Sequence, residues 1–406
     1  MANESGPLAG VRAIACSTAQ AGTVPYMLMA DLGAEVIKIE APGAGDPSRK
    51  AGEIKGENGQ ISSFFETNNR GVKSLTLNLK TEEAREILYK LVKTADIFGQ
   101  NFRPGAAERN GFGYEQLKAI NPAIVYASVS AYGPNGPHAD LPGTDAVGQA
   151  LSGIAEAYST PGQSMRTGVV SVADETCAIL TFGGILAALH QAKQTGKGQK
   201  IETSLAGSAV RLMGWTLTTT MWRNKNPITG ARINGTRERP GIAATFDDCD
   251  GKPIVFQLDA KDWRKALEAC GFWDTLVARG ADDLGLALVS EEKKNLILGA
   301  LSDMFKTGPR DHWLKILRAA DIVAAPVNNL LEASNDVDNL ANGYIDSVAY
   351  PEIGEDLKVH GTPWQFSDYK PKFGHAPGLG QHNAELLASV GYSEAEIAAF
   401  VERKVV

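Results

Sequence analysis

Val11-Arg-Ala-Ile-Ala-Cys16, Tyr26-Met-Leu-Met-Ala-Asp-Leu32 and Glu35-Val-Ile-Lys-Ile39, read in succession, decide the fold. The first is a short apolar run fit for a buried strand. The second spaces its apolar residues for a helix and stops at Gly33, the residue type favoured just past a helix end. The third is the next strand, followed by the loop Ala41-Pro-Gly-Ala-Gly-Asp-Pro47. Further along, Ser74 to Leu79 alternates as a strand, and Thr81 caps a helix with Glu82 and Glu83 in its first turn. Strands at Asp96 to Phe98 and Ile124 to Val129 follow, separated by a helical segment. Strand and helix in strict alternation imply crossover units and a parallel sheet, so this half is α/β.

After an apolar helix around Ile179 to Ala192 and a strand at Lys200 to Ser204, the pattern changes. Arg223-Asn-Lys-Asn-Pro-Ile-Thr-Gly-Ala-Arg232 reads as a basic linker, and Phe246 to Phe256 as a hairpin turning at Asp250-Gly251. Helical patterns from Asp262 to about Arg318 make a smaller α+β unit. From Pro326 onward the tail reads as mostly extended, closing with the capping box Ser393-Glu-Ala-Glu396. The expected division is 1–222 for a first large-domain part, 223–325 for linker and small domain, and 326–406 for a return segment.

The 406 residues allow two or three domains at roughly 100–200 residues each. With 40 Lys+Arg against 47 Asp+Glu the net charge is −7, which argues against nucleic acid as a partner. The opening Met-Ala-Asn-Glu-Ser-Gly-Pro lacks the basic and apolar regions of a signal peptide. Ile179 to Leu189, the best apolar run, falls short of the roughly 20 residues that span a bilayer, so no membrane partner is expected. Cys16, Cys177, Cys249 and Cys270 show no CxxC spacing, so reduced thiols and a cytoplasmic location are expected.

Familiar site motifs are missing. Gly43-Ala-Gly45 lacks the third glycine of a dinucleotide loop, Ser48 standing in its place, and no GxxxxGK[ST] or Gly-x-Ser-x-Gly occurs. Six histidines show no ligand spacing, so no metal is expected. What remains is Asp174, which ends Val169-Val-Ser-Val-Ala-Asp174 and opens an apolar helix. It reads either as a plain N-cap or as a carboxylate held ionised by the helix N-terminus and available as a nucleophile. Asn101-Phe-Arg-Pro-Gly105 sits at a strand end, where α/β sheets collect ligands. Arg103, Arg109, Lys73 and Lys80 read equally as phosphate partners or as a solvated basic face.

Longer stretches carry a likeness. Pro7-Leu-Ala-Gly-Val-Arg12, Ala30 to Glu40, Gly45-Asp-Pro, Asn69-Arg-Gly, Lys73 to Lys80, Asn101 to Gly105 and Gly111-Phe-Gly-Tyr114 resemble the class III CoA-transferases, the CaiB/BaiF family. Ile185 to Leu189, Thr195 to Gln199, Ala325-Pro-Val-Asn328 and Leu379 to Asn383 continue the resemblance in family order. It implies a Rossmann-like large domain built from both chain ends, a small α+β domain, and an interlocked dimer. It also implies that Asp174 attacks a donor acyl-CoA, passing through aspartyl anhydride and aspartyl-CoA thioester to an acceptor acid. Coenzyme A is then substrate and product, with no metal required.

By the same resemblance Gln20 positions an acyl oxygen, and Thr18, Ala19, Ala21, Leu77, Lys80, Asn101, Phe102 and Arg109 surround CoA. The sequence departs from the family pattern at Ala41, Gln100, Thr144 and Ala178, and Arg237-Glu-Arg-Pro-Gly241 occupies the neighbourhood of a glycine flap found in some members. The implied partners are an acyl-CoA, succinyl-CoA among the candidates, a carboxylic acid, and a second copy or a paralogous subunit. Arg223, Arg232, Arg237 and Arg239 offer partners for a second substrate carboxylate. Two alternatives stand beside transfer. One is a non-catalytic subunit of a heteromeric enzyme of the benzylsuccinate CoA-transferase type. The other is an α-methylacyl-CoA racemase, disfavoured because Pro142-Gly-Thr-Asp145 lacks the histidine that proton abstraction would use.

Overall fold

A computed structural model describes residues 6–57, 59–159, 168, 170–226 and 232–406. The opening five residues, Val169 and residues 227–231 of the basic stretch lie outside them, as does the side chain of Arg232. The described residues fall into two compact units, one drawn from Met1–Glu156, Arg166–Arg223 and Leu340–Val406, the other from Ala157–Met165 and Asn224–Asn339.

The first unit is organised by six strands: β1 (Arg12–Cys16), β2 (Glu35–Glu40), β3 (Lys73–Thr76), β4 (Ile97–Gln100), β5 (Val125–Ser130) and β6 (Lys200–Ser204). They lie in the order β3-β2-β1-β4-β5-β6, and every neighbouring pair is parallel. This is the doubly wound order of nucleotide-binding sheets, with its switch point between β1 and β4. Alternate residues feed two cores. Ile14, Ile37, Leu75 and Phe98 pack with Ile87, Leu88 and Leu91 of the helix Glu82–Val92, and with Leu386, Leu387 and Val406 from the chain's end. Ala13, Val36, Ile97 and Val125 pack on the other side with Tyr26, Met29, Phe182 and Ile185. Covered on both faces, such strands read as the near-continuous apolar runs seen in the sequence.

The apolar stretch at Ile179 to Leu189 belongs to a longer element than expected, a helix of 24 residues, Val172–Thr195. By length and composition alone it would suffice to cross a membrane, which corrects the length argument made from the apolar run. Ala173, Cys177, Ala178, Thr181, Phe182, Ile185, Ala188, Leu189 and Ala192 recur at helical spacing and are buried. That face packs on β5, β6 and the helices Val24–Asp31 and Leu205–Leu212, so the helix serves as a core layer of the sheet.

The second unit holds an antiparallel sheet of β7 (Arg232–Thr236), β8 (Arg239–Asp247), β9 (Pro253–Asp259) and β10 (Val323–Pro326), in the order β10-β9-β8-β7. The expected hairpin joins β8 to β9, with Asp248 Oδ1 accepting the backbone N–H groups of Asp250 and Lys252 at 2.8 Å each. Past Arg232, where the expected linker ends, β7 and the start of β8 are strands, turning at Arg237-Glu238. Asn234, Gly235, Pro240 and Gly241 disguise them, since these residue types are depleted in strands and only pairing with β9 through β8 explains their place. Phe256, Trp263, Phe305 and Trp313 centre this unit's core among the helices Ala260–Ala269, Glu291–Phe305 and Arg310–Ala319.

The tail is also more structured than its composition suggests. Strands Ile345–Tyr350 and Glu355–His360 pair as a hairpin, and helices Asn383–Ser389 and Glu394–Glu402 follow, the last opened by the Ser393/Glu396 capping box.

Candidate active site

β1 runs into a tight turn, Ser17 to Thr23, at the switch point. The turn is pinned from three sides. From just past the end of β4, the Asn101 side chain accepts the Thr18 N–H at 3.0 Å and donates to the Thr18 carbonyl at 2.8 Å. From within, the Ser17 hydroxyl donates to the Gly22 carbonyl at 2.5 Å. From below, Lys38 Nζ donates to the Ser17 carbonyl at 2.9 Å and pairs with Asp46 at 2.8 Å, while Asp46 Oδ1 accepts the Ala19 N–H at 3.4 Å. Ala19 sits at φ +61°, a left-handed conformation a non-glycine residue holds only when its surroundings over-determine it.

That supporting layer is ionic and dry. The Lys38 and Asp46 side chains are 1 % and 0 % exposed. Burial pushes the Asp46 carboxyl up, but the Lys38 charge and two hydrogen bonds from Ser48 outweigh it and hold the group below its usual range. Beside it Arg49 clamps Glu40 with bonds of 2.8 and 2.7 Å, and Ser74 Oγ adds a third at 2.7 Å. Lys38 and Glu40 look in sequence like the polar side of a strand; in the structure they are the buried frame beneath the turn.

Asp174 lies in the first turn of Val172–Thr195, but it is not the cap. The N-cap position is Ser171, whose side chain makes no capping bond. Asp145, from the start of the helix Asp145–Ser152, caps instead: its Oδ1 accepts the N–H groups of Ala173 at 2.7 Å and Asp174 at 3.1 Å. Gln149 Nε2 holds the other oxygen at 2.5 Å. The expectation that the helix terminus keeps Asp174 ionised is therefore corrected. Burial, reinforced by the negative charges of Asp145 and Glu175, raises the Asp174 pKa from 3.8 to about 6.

The turn and the helix head meet. Gln20 Nε2 donates to Glu175 Oε1 at 2.5 Å, and Ala21 packs with Ala173, Cys177 and Leu205 in one small apolar cluster. Sequence reasoning missed Asp145 as a cap, Glu175 as the partner of Gln20, and the Lys38–Asp46 pair. The first two carry no local signal, the bonded residues lying 28 and 155 positions apart, while Asp46 stands in the loop directly after the strand that holds Lys38.

Thr18, Ala19, Gln20, Ala21, Asn101 and Asp174 thus form one connected set. The other anticipated residues lie on the loops and short helix that follow β3 and β4. Leu77 sends its side chain into the core and offers a ligand only backbone. Lys80 and Arg109 are exposed. Phe102 is partly exposed, its ring edge-on to Phe112 at 5.5 Å and its N–H donated to Gln100 Oε1 at 2.6 Å. Gln100 also bonds Ser128, and the Ala178 methyl is fully buried in the core, so two departures from the family pattern are accommodated structurally. A separate cavity of about 520 Å³, lined by Glu108, Tyr114, Glu115, Gln116 and Lys200, contains none of the anticipated residues. Among the described residues no group of three or more His, Cys, Asp or Glu is placed to hold a metal, and the four cysteines are free thiols.

A sheet of nucleotide-binding order, with a perturbed carboxylate tied to its switch-point turn, defines an α/β enzyme scaffold of the nucleotide-binding class. The signature of CoA-transferase family III matches residues 8–383, and the chain belongs to that family. It is similar to the acetyl-CoA:oxalate CoA-transferase of Acetobacter aceti, 32 % identical over 97 % of this chain and 98 % of that protein. The human succinyl-CoA:glutarate CoA-transferase is 29 % identical over 96 % of this chain and 87 % of that protein. Among solved structures, a CaiB/BaiF family protein from Brucella suis superposes with a TM-score of 0.79 at 26 % identity, covering 95 % of this chain and all of the other. The chain is accordingly a CoA-transferase of the CaiB/BaiF fold, with coenzyme A as substrate and product.

Proposed function

We propose that the enzyme moves CoA from a short acyl-CoA, succinyl-CoA being the first to try, to a dicarboxylic acid, with Asp174 as the covalent nucleophile. The observation that carries the reading is Asp174 itself: a carboxylate with its pKa raised to about 6, at the head of a core helix and linked through Glu175 to the switch-point turn. The carboxylate attacks the thioester carbonyl, the C–S bond breaks, and an aspartyl anhydride and CoA thiolate result. Thiolate attacks the aspartyl carbonyl, expels the donor acid and leaves an aspartyl-CoA thioester. The acceptor carboxylate attacks that thioester, releasing thiolate and forming a second anhydride. Thiolate then takes the acceptor acyl group and frees Asp174. Protons balance throughout, because every nucleophile and leaving group is an anion.

Gln20, beside the helix head, supplies an N–H to the tetrahedral oxyanion. Lys80 and Arg109 face the CoA phosphates, and Phe102 offers a fixed apolar surface for the base. Thr18, Ala19, Ala21 and Asn101 contribute the pinned backbone and amide, and Leu77 its main chain. Strand spacing of about 4.8 Å puts the carboxyl ends of β3 and β4, three strands apart, about 14 Å from each other, a span suited to a nucleotide-sized ligand. The relatives named for oxalate and glutarate support a dicarboxylic acceptor. The exposed side chains of Trp215, Met221 and Trp222 on one helix support burial against a second chain, homologous or identical, in an interlocked dimer. Free thiols support a reducing, cytoplasmic setting.

The test pairs succinyl-, acetyl- and aryl-CoA with a panel of mono- and dicarboxylic acids, and traps the intermediate with hydroxylamine for mass spectrometry. The expected result is transfer plus a hydroxamate on Asp174, both lost in Asp174→Ala. Transfer that survives Asp174→Ala would sink the mechanism, as would wash-in of solvent deuterium without an acceptor.

A further inference from the structure

The Gln20 side chain is held at one end. Its Nε2 lies 2.5 Å from Glu175 Oε1, and an ionised carboxylate only accepts, so the amide must present its NH₂ group to Glu175. One N–H is spent there, and the other is the donor that remains beside the helix head. The main chain of Gln20 is fixed independently, since its carbonyl accepts the N–H groups of Thr23 at 3.0 Å and Val24 at 3.1 Å. Only the side-chain torsions are left for Glu175 to restrain. Glu175 itself stands next to Asp174 on the first turn of the same helix, so the group that orients Gln20 moves with the nucleophile.

Resting on the reading of Asp174 as nucleophile, we propose that Glu175 is a positioning residue of the transfer reaction. It fixes the amide of Gln20 so that the second N–H addresses the oxyanion formed when Asp174 attacks. A donor locked before the reaction is worth more than one that must be recruited, because no reorganisation is left for the transition state. The carboxylate charge has a second, separable effect. The charged groups acting on Asp174 are Asp145 from the neighbouring helix and Glu175 on its own, with the neutral Cys177 thiol one turn on. Removing the Glu175 charge therefore makes Asp174 easier to ionise.

A double-mutant cycle tests this. Glu175→Ala should lower kcat about tenfold, with KM for the acyl-CoA changed less than about twofold, a modest loss beside the 10²–10³ typical of deleting an oxyanion donor outright. Glu175→Gln, whose amide oxygen accepts the same hydrogen bond, should recover to within about threefold of the parent. In a Gln20→Ala background, Glu175→Ala should cost less than about twofold, because the group it orients is gone. Both Glu175 variants should move the acid limb of kcat/KM to lower pH, since both remove the charge, while only the alanine loses rate. An equal loss from Glu175→Ala with and without Gln20, or no recovery in Glu175→Gln, would overturn the proposal. Absence of a hydroxamate on Asp174 in the unmodified enzyme would instead overturn the nucleophile reading, and the two failures are read from different samples.

Discussion

Replacing Asp174 by asparagine should stabilise the protein, and the size of the gain follows from the site. The folded state holds this carboxyl at about 6 against an ordinary 3.8, because burial and the charges of Asp145 and Glu175 oppose its ionised form. At about 1.4 kcal/mol per pH unit, that displacement is worth about 3 kcal/mol once the group is fully ionised. The side chain is partly exposed, so solvent screening reduces the expectation to about 1–2 kcal/mol. The sign is set by proton binding. Between pH 4 and 6 the folded chain holds more of this proton than the unfolded chain, so the parent loses stability as pH rises through that window. Asparagine never ionises and is spared the loss. Urea unfolding of parent and Asp174→Asn at pH 4, 5, 6 and 7.5 should show nearly equal stability at the acid end and a gap that opens to about 1–2 kcal/mol above pH 6. A gap that is constant across pH, or of the opposite sign at pH 7.5, would refute the electrostatic account of this site.

Asp145→Asn keeps an oxygen for the Ala173 and Asp174 N–H groups while removing a charge, so the acid limb of kcat/KM should move below pH 6; a pH–rate profile checks it. Lys38→Met leaves Asp46 buried without its cation and should cost about 3–5 kcal/mol, read from the unfolding midpoint. Gly22→Ala would place a methyl 2.6 Å from the Asn101 side-chain amide. The amide must then leave Thr18, so KM for the acyl-CoA should rise about fivefold, the share of about 1 kcal/mol, with little change in thermal midpoint.

How much of this was legible depended on where the information lay. The parallel sheet was readable because strands covered on both faces are apolar nearly throughout, as in Val11 to Cys16 and Ile124 to Val129, where only Arg12 and Ser128 break the run. β7 was not readable, because Asn234 and Gly235 are poor strand residues whose pairing is imposed from β8. The burial of Lys38 and Glu40 was not readable either: alternation in a strand would put them on a wet face, yet their partners Asp46 and Arg49 arrive in the next loop and close over them. Asp174 could be singled out by its place at a helix start, but not its ionisation. That depends first on burial, and then on the charges of Glu175 and of Asp145, 29 residues earlier.

The capping by Asp145 bears on how the proposed anhydride resolves. A helix terminus left free would lower the Asp174 pKa and make it a weak nucleophile and a good leaving group. With two of the terminal N–H groups committed to Asp145, burial and the charges of Asp145 and Glu175 make Asp174 more basic than an ordinary carboxylic acid near 4.3, yet about nine-tenths of it is still ionised at pH 7. In the mixed anhydride the donor acid is then the better leaving group. Thiolate attack that expels it, at the aspartyl carbonyl, is electronically favoured over attack that merely regenerates the donor thioester. The same bias opposes the final step, where Asp174 itself must depart from the acceptor anhydride. Electronics alone would therefore load the enzyme and leave it stranded as the aspartyl thioester. Release of the product has to be secured by geometry, by holding the thiolate against the acceptor carbonyl, and the rigidly pinned turn from Ser17 to Thr23 is the part of this site built to hold a position.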